Sequence, residues 1–214
     1  MATIGDKNGT SHMTQTIRQK VLSRVYGKKR GAVVTPIMFQ DLCSQKTAQQ
    51  TLMRLCDEGI IRRLAPGLYD YPRTHPKLGV LAPSPDTVAK ALATNNQLRI
   101  QPTGAYAANL LGLSLQVPAR IVFLTDGASR IVKIGNQEFI FKRTTPKNMA
   151  AAGRVSGLVI QALRYLGQAN VDDPVIKKLD AQLRDEHRRV LLRDIGLAPA
   201  WIANIIRRLT KELT

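Results

Sequence analysis

The sequence predicts an α+β protein in which an N-terminal winged helix-turn-helix precedes a mixed α/β domain with a helical C-terminal tail. Before residue 60, three helical patterns follow one another, and the last two have almost no connection between them. The apolar period then changes from helical to alternating around a Pro-Gly pair, which indicates a β-hairpin. Helices followed by a hairpin in this order are typical of a winged helix-turn-helix.

The first predicted helix covers residues 14–26. Its apolar stripe is formed by Ile17, Val21 and Val25, which recur at helical spacing, and Leu22 widens the stripe. A basic run and a glycine follow directly, so we expect the helix to end there.

Two further helices follow closely. Thr35 is placed to cap a short helix that begins at Pro36, where the missing N–H of proline costs nothing. Ser44 caps a helix over residues 45–57, which ends before Gly59, a residue type common at helix C-termini. The residues expected to face the core are Met38, Leu42 and Cys43 on the short helix and Ala48, Leu52 and Leu55 on the longer one.

The predicted hairpin covers residues 60–71. Pro66 and Gly67 fit the two central positions of a type II turn, in which Gly adopts the positive φ. We expect Tyr69 and Tyr71 to pack against the hairpin rather than to stack on bases.

Several prolines mark residues 74–85 as an irregular linker between two domains. We therefore predict a winged-helix domain over 13–73 and a second domain over 86–214. Residues 1–12 are polar and non-periodic, and they resemble a leader added by an expression vector before a second start at Met13.

The second domain mixes helical and strand patterns. Helices are predicted at 86–93, 104–111, 150–166, 175–192 and 200–213, and strands at 120–124, 130–134 and 138–143, the last two joined by a turn at Gly135 and Asn136.

Basic residues dominate the charge of the chain. Its 32 Lys and Arg face 15 Asp and Glu, which gives a formal net charge of +17. A field of this sign favours a polyanionic partner, usually nucleic acid, because neutralised phosphates release their counterions. An anionic membrane surface is the competing partner, but the sequence has no apolar run of the roughly 20 residues that a spanning helix needs and no signal-peptide pattern. We therefore predict no membrane association.

The two cysteines, Cys43 and Cys56, fall at apolar helical positions and cannot build a disulfide framework. This usage is typical of a protein in the reducing cytoplasm.

The outward face of the helix at 45–57 is the candidate base-reading surface. Glutamine pairs with adenine and arginine with guanine in the major groove, and Gln49 and Gln50 are the preferred readers. The outward residues are Gln45, Lys46, Gln49, Gln50 and Arg54, and the basic residues expected to contact phosphates are Lys28, Lys29, Arg30, Arg62 and Arg63. Three alternatives stay open: a solvated helix face, a protein-interaction module, and an RNA-binding protein that recognises shape and phosphates.

The most suggestive catalytic cluster lies within the helix predicted at 175–192. Its members are Asp180, Arg184, Asp185, Glu186, His187, Arg188 and Arg189. A metal-dependent nuclease is the function that such a cluster would support. The helical spacing of Ile176, Leu179 and Leu183 instead indicates a buried stripe with a solvated, ion-paired face opposite to it. We therefore predict no enzyme activity, no catalytic residue, no metal and no cofactor.

Two segments resemble the AbiEi-type antitoxins of bacterial abortive-infection systems. Residues 60–69 read as a basic and hydrophobic strand with a Gly-Leu-Tyr return, and residues 104–113 read as small residues leading into Leu-Gly-Leu. Residues 116–118, ahead of the strand that starts at Ile121, also match, and the resemblance covers roughly residues 17–143.

The resemblance implies a type IV antitoxin that represses its own toxin-antitoxin operon by binding promoter repeats in double-stranded DNA. In this family the second domain opposes a nucleotidyltransferase-like toxin, without a stable direct complex. A generic winged-helix transcriptional regulator is the alternative that keeps DNA binding without the antitoxin role.

Overall fold

The computed structural model describes residues 16–116 and 118–211. The predicted leader at 1–12 lies outside the described residues, as do the first residues of the helix predicted from 14 and the end of the one predicted to 213. The described chain is a mixed α+β protein with several small sheets.

The N-terminal region consists of helices α1 and α2, a single 3-10 turn and a small antiparallel sheet in the order β1-β3-β2. The elements are α1 Ile17–Gly27, β1 Val33–Val34, the 3-10 helix Pro36–Phe39, α2 Gln45–Asp57, β2 Arg62–Ala65 and β3 Leu68–Asp70. The predicted bounds of α2 and the predicted hairpin are confirmed, and Gly67 in its turn has a φ of 70°.

Side-chain caps fix where the two helices begin. The Thr16 hydroxyl accepts a hydrogen bond from the Gln19 N–H, and the Gln19 side chain accepts one from the Thr16 N–H, so α1 starts at Ile17 rather than at residue 14. The Ser44 hydroxyl accepts from the Thr47 N–H at 3.2 Å and caps α2 as predicted.

Thr35 occupies the predicted N-cap position before Pro36, but its side chain makes no capping hydrogen bond. Its side chain is fully buried and its hydroxyl oxygen has no hydrogen-bond partner among the described residues. The Thr35 carbonyl instead accepts from the Met38 N–H at 3.1 Å, which closes a single 3-10 turn. A turn this short leaves few N–H groups for a side chain to cap.

The irregular linker predicted at 74–85 is also wrong. It contains most of a two-stranded antiparallel hairpin formed by β4, Arg73–His75, and β5, Gly79–Leu81. The prolines fall before, between and after the strands, at positions where no ladder N–H is needed, so they do not prevent pairing.

The central region is a four-stranded sheet with two helices beside it. Its elements are α3 Pro85–Asn95, β6 Ile100–Pro102, α4 Gly104–Leu110, β7 Arg120–Thr125, β8 Arg130–Ile134 and β9 Gln137–Arg143. The strand order is β6-β7-β9-β8, and β7 and β9 run parallel. The predicted turn between β8 and β9 is confirmed, whereas β6 was not predicted.

The C-terminal region is helical as expected, but its helix boundaries differ from the prediction. It contains α5 Pro146–Met149, α6 Val155–Leu166, α7 Asp173–Ala181, α8 Asp185–Arg193 and α9 Ala200–Leu209. The helix predicted from residue 150 begins at Val155, because Gly153 has a φ of 78° and Arg154 is extended.

The single helix predicted over 175–192 is wrong, because the chain leaves the helical conformation at Arg184, where ψ is 165°. Leu183, directly before the break, is buried in the helical core together with Leu179 and Leu191. The change of direction brings all three leucines into one core, and the acidic residues at the start of α8 favour a new helix N-terminus there.

The hydrophobic core crosses the predicted domain boundary. Val33 and Leu68 of the N-terminal sheet belong to the same cluster of buried residues as Val88 of α3 and Phe123 and Phe139 of the central sheet. None of the helices among the described residues is long and apolar enough to cross a membrane.

Candidate nucleic-acid interface

The outward face of α2 carries polar side chains that have no partner among the described residues. Ala48, Leu52 and Leu55 are fully buried, so helical geometry turns the predicted readers away from the core. Gln45, Lys46, Gln49, Gln50 and Arg54 are all exposed, and their side chains make no hydrogen bond or ion pair with the described residues. The predicted reading face is therefore accessible along its whole length.

Met53 also lies on this face, although only polar residues were predicted for this face. It is 46% exposed, and it follows Lys46 and Gln50 at helical spacing. The sequence did contain a signal, because Met53 is an apolar residue outside the inward stripe of the helix. In a major groove, an apolar side chain of this kind contacts the methyl group of thymine.

Two acidic side chains near α2 are neutralised by arginines of α1. Arg24 donates to both carboxylate oxygens of Asp41, at 2.5 and 2.7 Å, and Arg18 donates to Glu58 at 2.5 Å. The hydrogen bond from Arg24 holds the pKa of Asp41 below its usual range. The negative charge of these carboxylates is thus compensated beside the exposed face.

Arg62 is engaged in hydrogen bonds within the fold. Its Nε donates to Asp70 Oδ1 at 3.1 Å, its Nη2 donates to Asp70 Oδ2 at 2.8 Å, and Nη2 also lies 3.3 Å from the Leu81 carbonyl oxygen. Asp70 is fully buried, and its hydrogen bond raises the pKa of Arg62. Arg62 therefore ties β2 to β3 and to the end of β5, whereas the neighbouring Arg63 is exposed and has no hydrogen bond or ion pair within the described chain.

The basic residues that follow α1 also include both engaged and exposed side chains. Lys28 and Lys29 are exposed, and their side chains have no partner in the part of the chain that the structure describes. Arg30 lies over the Tyr71 ring, 4.8 Å from its centre, and donates to the Pro72 carbonyl oxygen at 3.0 Å. Arg30 thus holds the end of the small sheet, while neither lysine side chain contacts a partner in the described part of the chain.

A shallow groove of about 690 Å³ separates α1 from the 3-10 helix. Lys20, Arg24 and Lys28 line it, together with Met38 and Leu42. The groove continues the positive charge of the N-terminal region, because only Arg24 of these three cations has an acidic partner among the described residues.

Several members of the acidic and histidine cluster of the C-terminal region form ion pairs with one another. Arg188 Nη1 lies 2.6 Å from Asp180 Oδ1, and Arg184 Nη2 lies 2.8 Å from Glu186 Oε1. His187 Nε2 is 3.7 Å from the same Glu186 oxygen. No group of three or more acidic, histidine or cysteine side chains that could hold a metal occurs among the described residues.

Cys43 and Cys56 are both free and half-buried. Each packs against the core cluster of the N-terminal region, as expected for a small hydrophobic side chain.

A family model described as a family of unknown function (DUF6088) matches residues 20–191, most of the chain. A search of the curated proteins finds no match. Among solved structures, the chain is similar to the RV2827C protein from Mycobacterium tuberculosis, with 18% identity and a TM-score of 0.42. That alignment covers 90% of this chain and 76% of the other, and a likeness at this level does not bear on function.

Proposed function

The chain belongs to the DUF6088 family of unknown function, and we propose that it binds double-stranded DNA as a transcriptional regulator, with α2 as the recognition helix of a winged helix-turn-helix. The observation that carries the proposal is the outward face of α2, where glutamine, lysine and arginine side chains are exposed and have no partner within residues 16–116 and 118–211. Free hydrogen-bonding groups at helical spacing are what base reading in a major groove requires.

The surrounding elements support the same function. A helix, a tight 3-10 turn, a second helix and an antiparallel hairpin follow one another, which is the element order of a winged helix-turn-helix. The formal charge of +17 supplies the electrostatic attraction to a polyanion.

The side chains divide into three roles in this proposal. Gln49 and Gln50 read bases, with Gln45, Lys46, Met53 and Arg54 beside them. Lys28, Lys29 and Arg63 contact phosphates. Arg62 and Arg30, which are engaged within the fold, position the strands that carry these groups.

The antitoxin role is a narrower proposal that rests on the resemblance to AbiEi-type proteins. In it, the DNA site is a set of repeats in the promoter of the protein's own operon, and the rest of the chain opposes a nucleotidyltransferase-like toxin in the cytoplasm without a stable complex. A nucleotidyltransferase gene beside this one would support the role, and DNA binding stands without it.

Fluorescence anisotropy with DNA from the promoter of the chain's own gene tests the proposal. We expect Gln49→Ala with Gln50→Ala to weaken binding to this DNA by roughly 1–3 kcal/mol per lost base contact and to leave binding to scrambled DNA nearly unchanged. Gln168→Ala is the matched control, because this glutamine is exposed and lies after α6, outside α2.

Two outcomes would contradict the proposal. An equal loss of affinity for promoter and scrambled DNA would show that α2 does not read the base sequence. Displacement of the promoter DNA by structured RNA at equal concentration, with no sequence preference, would instead favour an RNA-binding protein.

A further inference from the structure

A cavity of about 420 Å³ lies away from the α2 face. It is bounded by α3, β6, the end of α4, the start of α6 and the junction between α7 and α8. The volume falls within the range of roughly 300–1,000 Å³ that is typical of sites for small organic molecules. Several separate elements meet here, so the walls do not depend on a single segment of the chain.

One side of the cavity is apolar and partly open to water. Leu111 and Leu183 are buried in the helical core behind it. Leu110, at the end of α4, borders the cavity and remains 42% exposed. An apolar ligand in this position would remove that surface from water and gain the corresponding transfer free energy.

The charges on the lining favour an anion. Lys90 and Arg154 border the cavity together with His187, while Asp86 is the single carboxylate among the lining residues. Lys90 Nζ lies 2.6 Å from Asp86 Oδ2, on the exposed side of α3. This ion pair is open to water, so it leaves the ammonium group accessible to a second carboxylate.

Arg154, directly before the first residue of α6, adds a second cation to the lining. Its Nε lies 2.7 Å from the buried Asp194 Oδ2, without the alignment of a hydrogen bond, and its Nη2 donates to the Ala150 carbonyl at 2.5 Å. Its Nη1 has no partner among the described residues and is available to a ligand oxygen. The polar contacts already made fix the guanidinium in place.

We propose that this cavity binds a small organic carboxylate with an apolar body. The apolar part lies against Leu110, Leu111 and Leu158, and the carboxylate lies toward Lys90 and Arg154. The site is independent of the proposed DNA binding, although α3, which carries Lys90, also packs against β1 and the 3-10 helix.

Binding of the fluorescent anion anilinonaphthalene sulfonate to the full chain tests this site. We expect saturable one-to-one binding that decanoate reverses, while decanol, which has the same chain length and no charge, competes about fivefold more weakly. Leu110→Gln should weaken the binding of decanoate and decanol alike by about fivefold. Lys90→Gln should weaken only decanoate, by about threefold.

Ile131→Gln is the matched control, because Ile131 is exposed on β8 and does not line the cavity. Lack of saturable binding would overturn the proposal, as would an equal effect of Ile131→Gln and Leu110→Gln. Decylamine competing better than decanoate would overturn the assignment of the ligand as an anion. All of these readouts are made without DNA, so they do not depend on whether the chain binds it.

Discussion

Helices α2 and α8 both present a strongly polar outward face, but the side chains on the two faces behave differently. On α8, Arg188 binds Asp180, and at its start Arg184 pairs with Glu186. On α2, the outward glutamines, lysine and arginine have no partner among the described residues. The two polar faces therefore differ in whether their side chains find partners within the described chain.

Because their side chains differ in pairing, the two faces are expected to respond differently to substitution. Removing a paired side chain from α8, such as Arg188, breaks internal contacts and lowers the free energy of unfolding. Removing an outward side chain from the α2 face leaves folding intact and lowers affinity for the proposed DNA.

Arg188→Ala should lower the free energy of unfolding by about 3 kcal/mol. The side chain is only 14% exposed and donates to Asp180 on α7 and to the Leu209 carbonyl on α9, so its loss leaves that carbonyl unsatisfied. Urea denaturation measures the change. Arg189→Ala, on the exposed side of the same helix, should be close to neutral, and equal effects of the two substitutions would contradict the contrast.

Arg62→Ala should cost about 2 kcal/mol of stability, because it leaves the buried Asp70 carboxylate without its partner. The expected cost is below that of a fully buried pair, since Arg62 is itself 41% exposed. Thermal or urea unfolding measures it. An unchanged stability together with a loss of DNA affinity would return Arg62 to the set of phosphate contacts.

Arg63→Ala, one residue further on, should leave stability unchanged and weaken binding to promoter and scrambled DNA alike. As a proposed phosphate contact, it should reduce the slope of log K against log salt by about one unit. Anisotropy titrations at several salt concentrations measure the slope. If the slope does not change, the hairpin formed by β2 and β3 does not contact phosphates through Arg63.

Arg24→Gln should make the fold slightly more sensitive to acid. Arg24 lowers the pKa of Asp41 in the folded state, so the pair contributes stability above the unfolded pKa of that carboxyl and loses it as pH falls through the folded value. The variant should therefore unfold at a slightly higher pH in an acid titration followed by circular dichroism. Identical acid midpoints would show that the exposed pair contributes nothing measurable.

Local signals in the sequence were sufficient for α2 and the hairpin. Ser44 as a cap, a clear inward stripe and Gly67 in a turn are each read within a few residues, and the structure has all three. The exposed reading face follows directly from that stripe, because helical spacing fixes which side chains point outward.

The role of Arg62 depended on a feature that the sequence does not display. In a regular hairpin closed by Pro66 and Gly67, Arg63 would lie opposite Asp70. A register shift between Arg63 and Ala65 places Arg62 opposite Asp70 instead. One inserted residue thus decides which arginine is bound within the fold and which stays exposed.

The apolar periodicity of the sequence also could not predict the break between α7 and α8. The apolar spacing of Ile176, Leu179 and Leu183 stays helical up to the residue before the break, so the pattern alone does not show that α7 ends at Ala181. What ends α7 is the packing of Leu183 into a core formed by α4, α6 and α9, which lie far away in sequence.

The core that joins Val33 and Leu68 to Phe123 and Phe139 couples the candidate DNA-contacting elements to the central sheet during unfolding. Neither half can lose its structure without exposing apolar surface of the other, so cooperative melting in one transition is the expected behaviour. Substitutions buried in the central sheet would then reduce occupancy of the proposed DNA site by lowering the amount of folded protein, although no side chain of the proposed recognition helix α2 is changed.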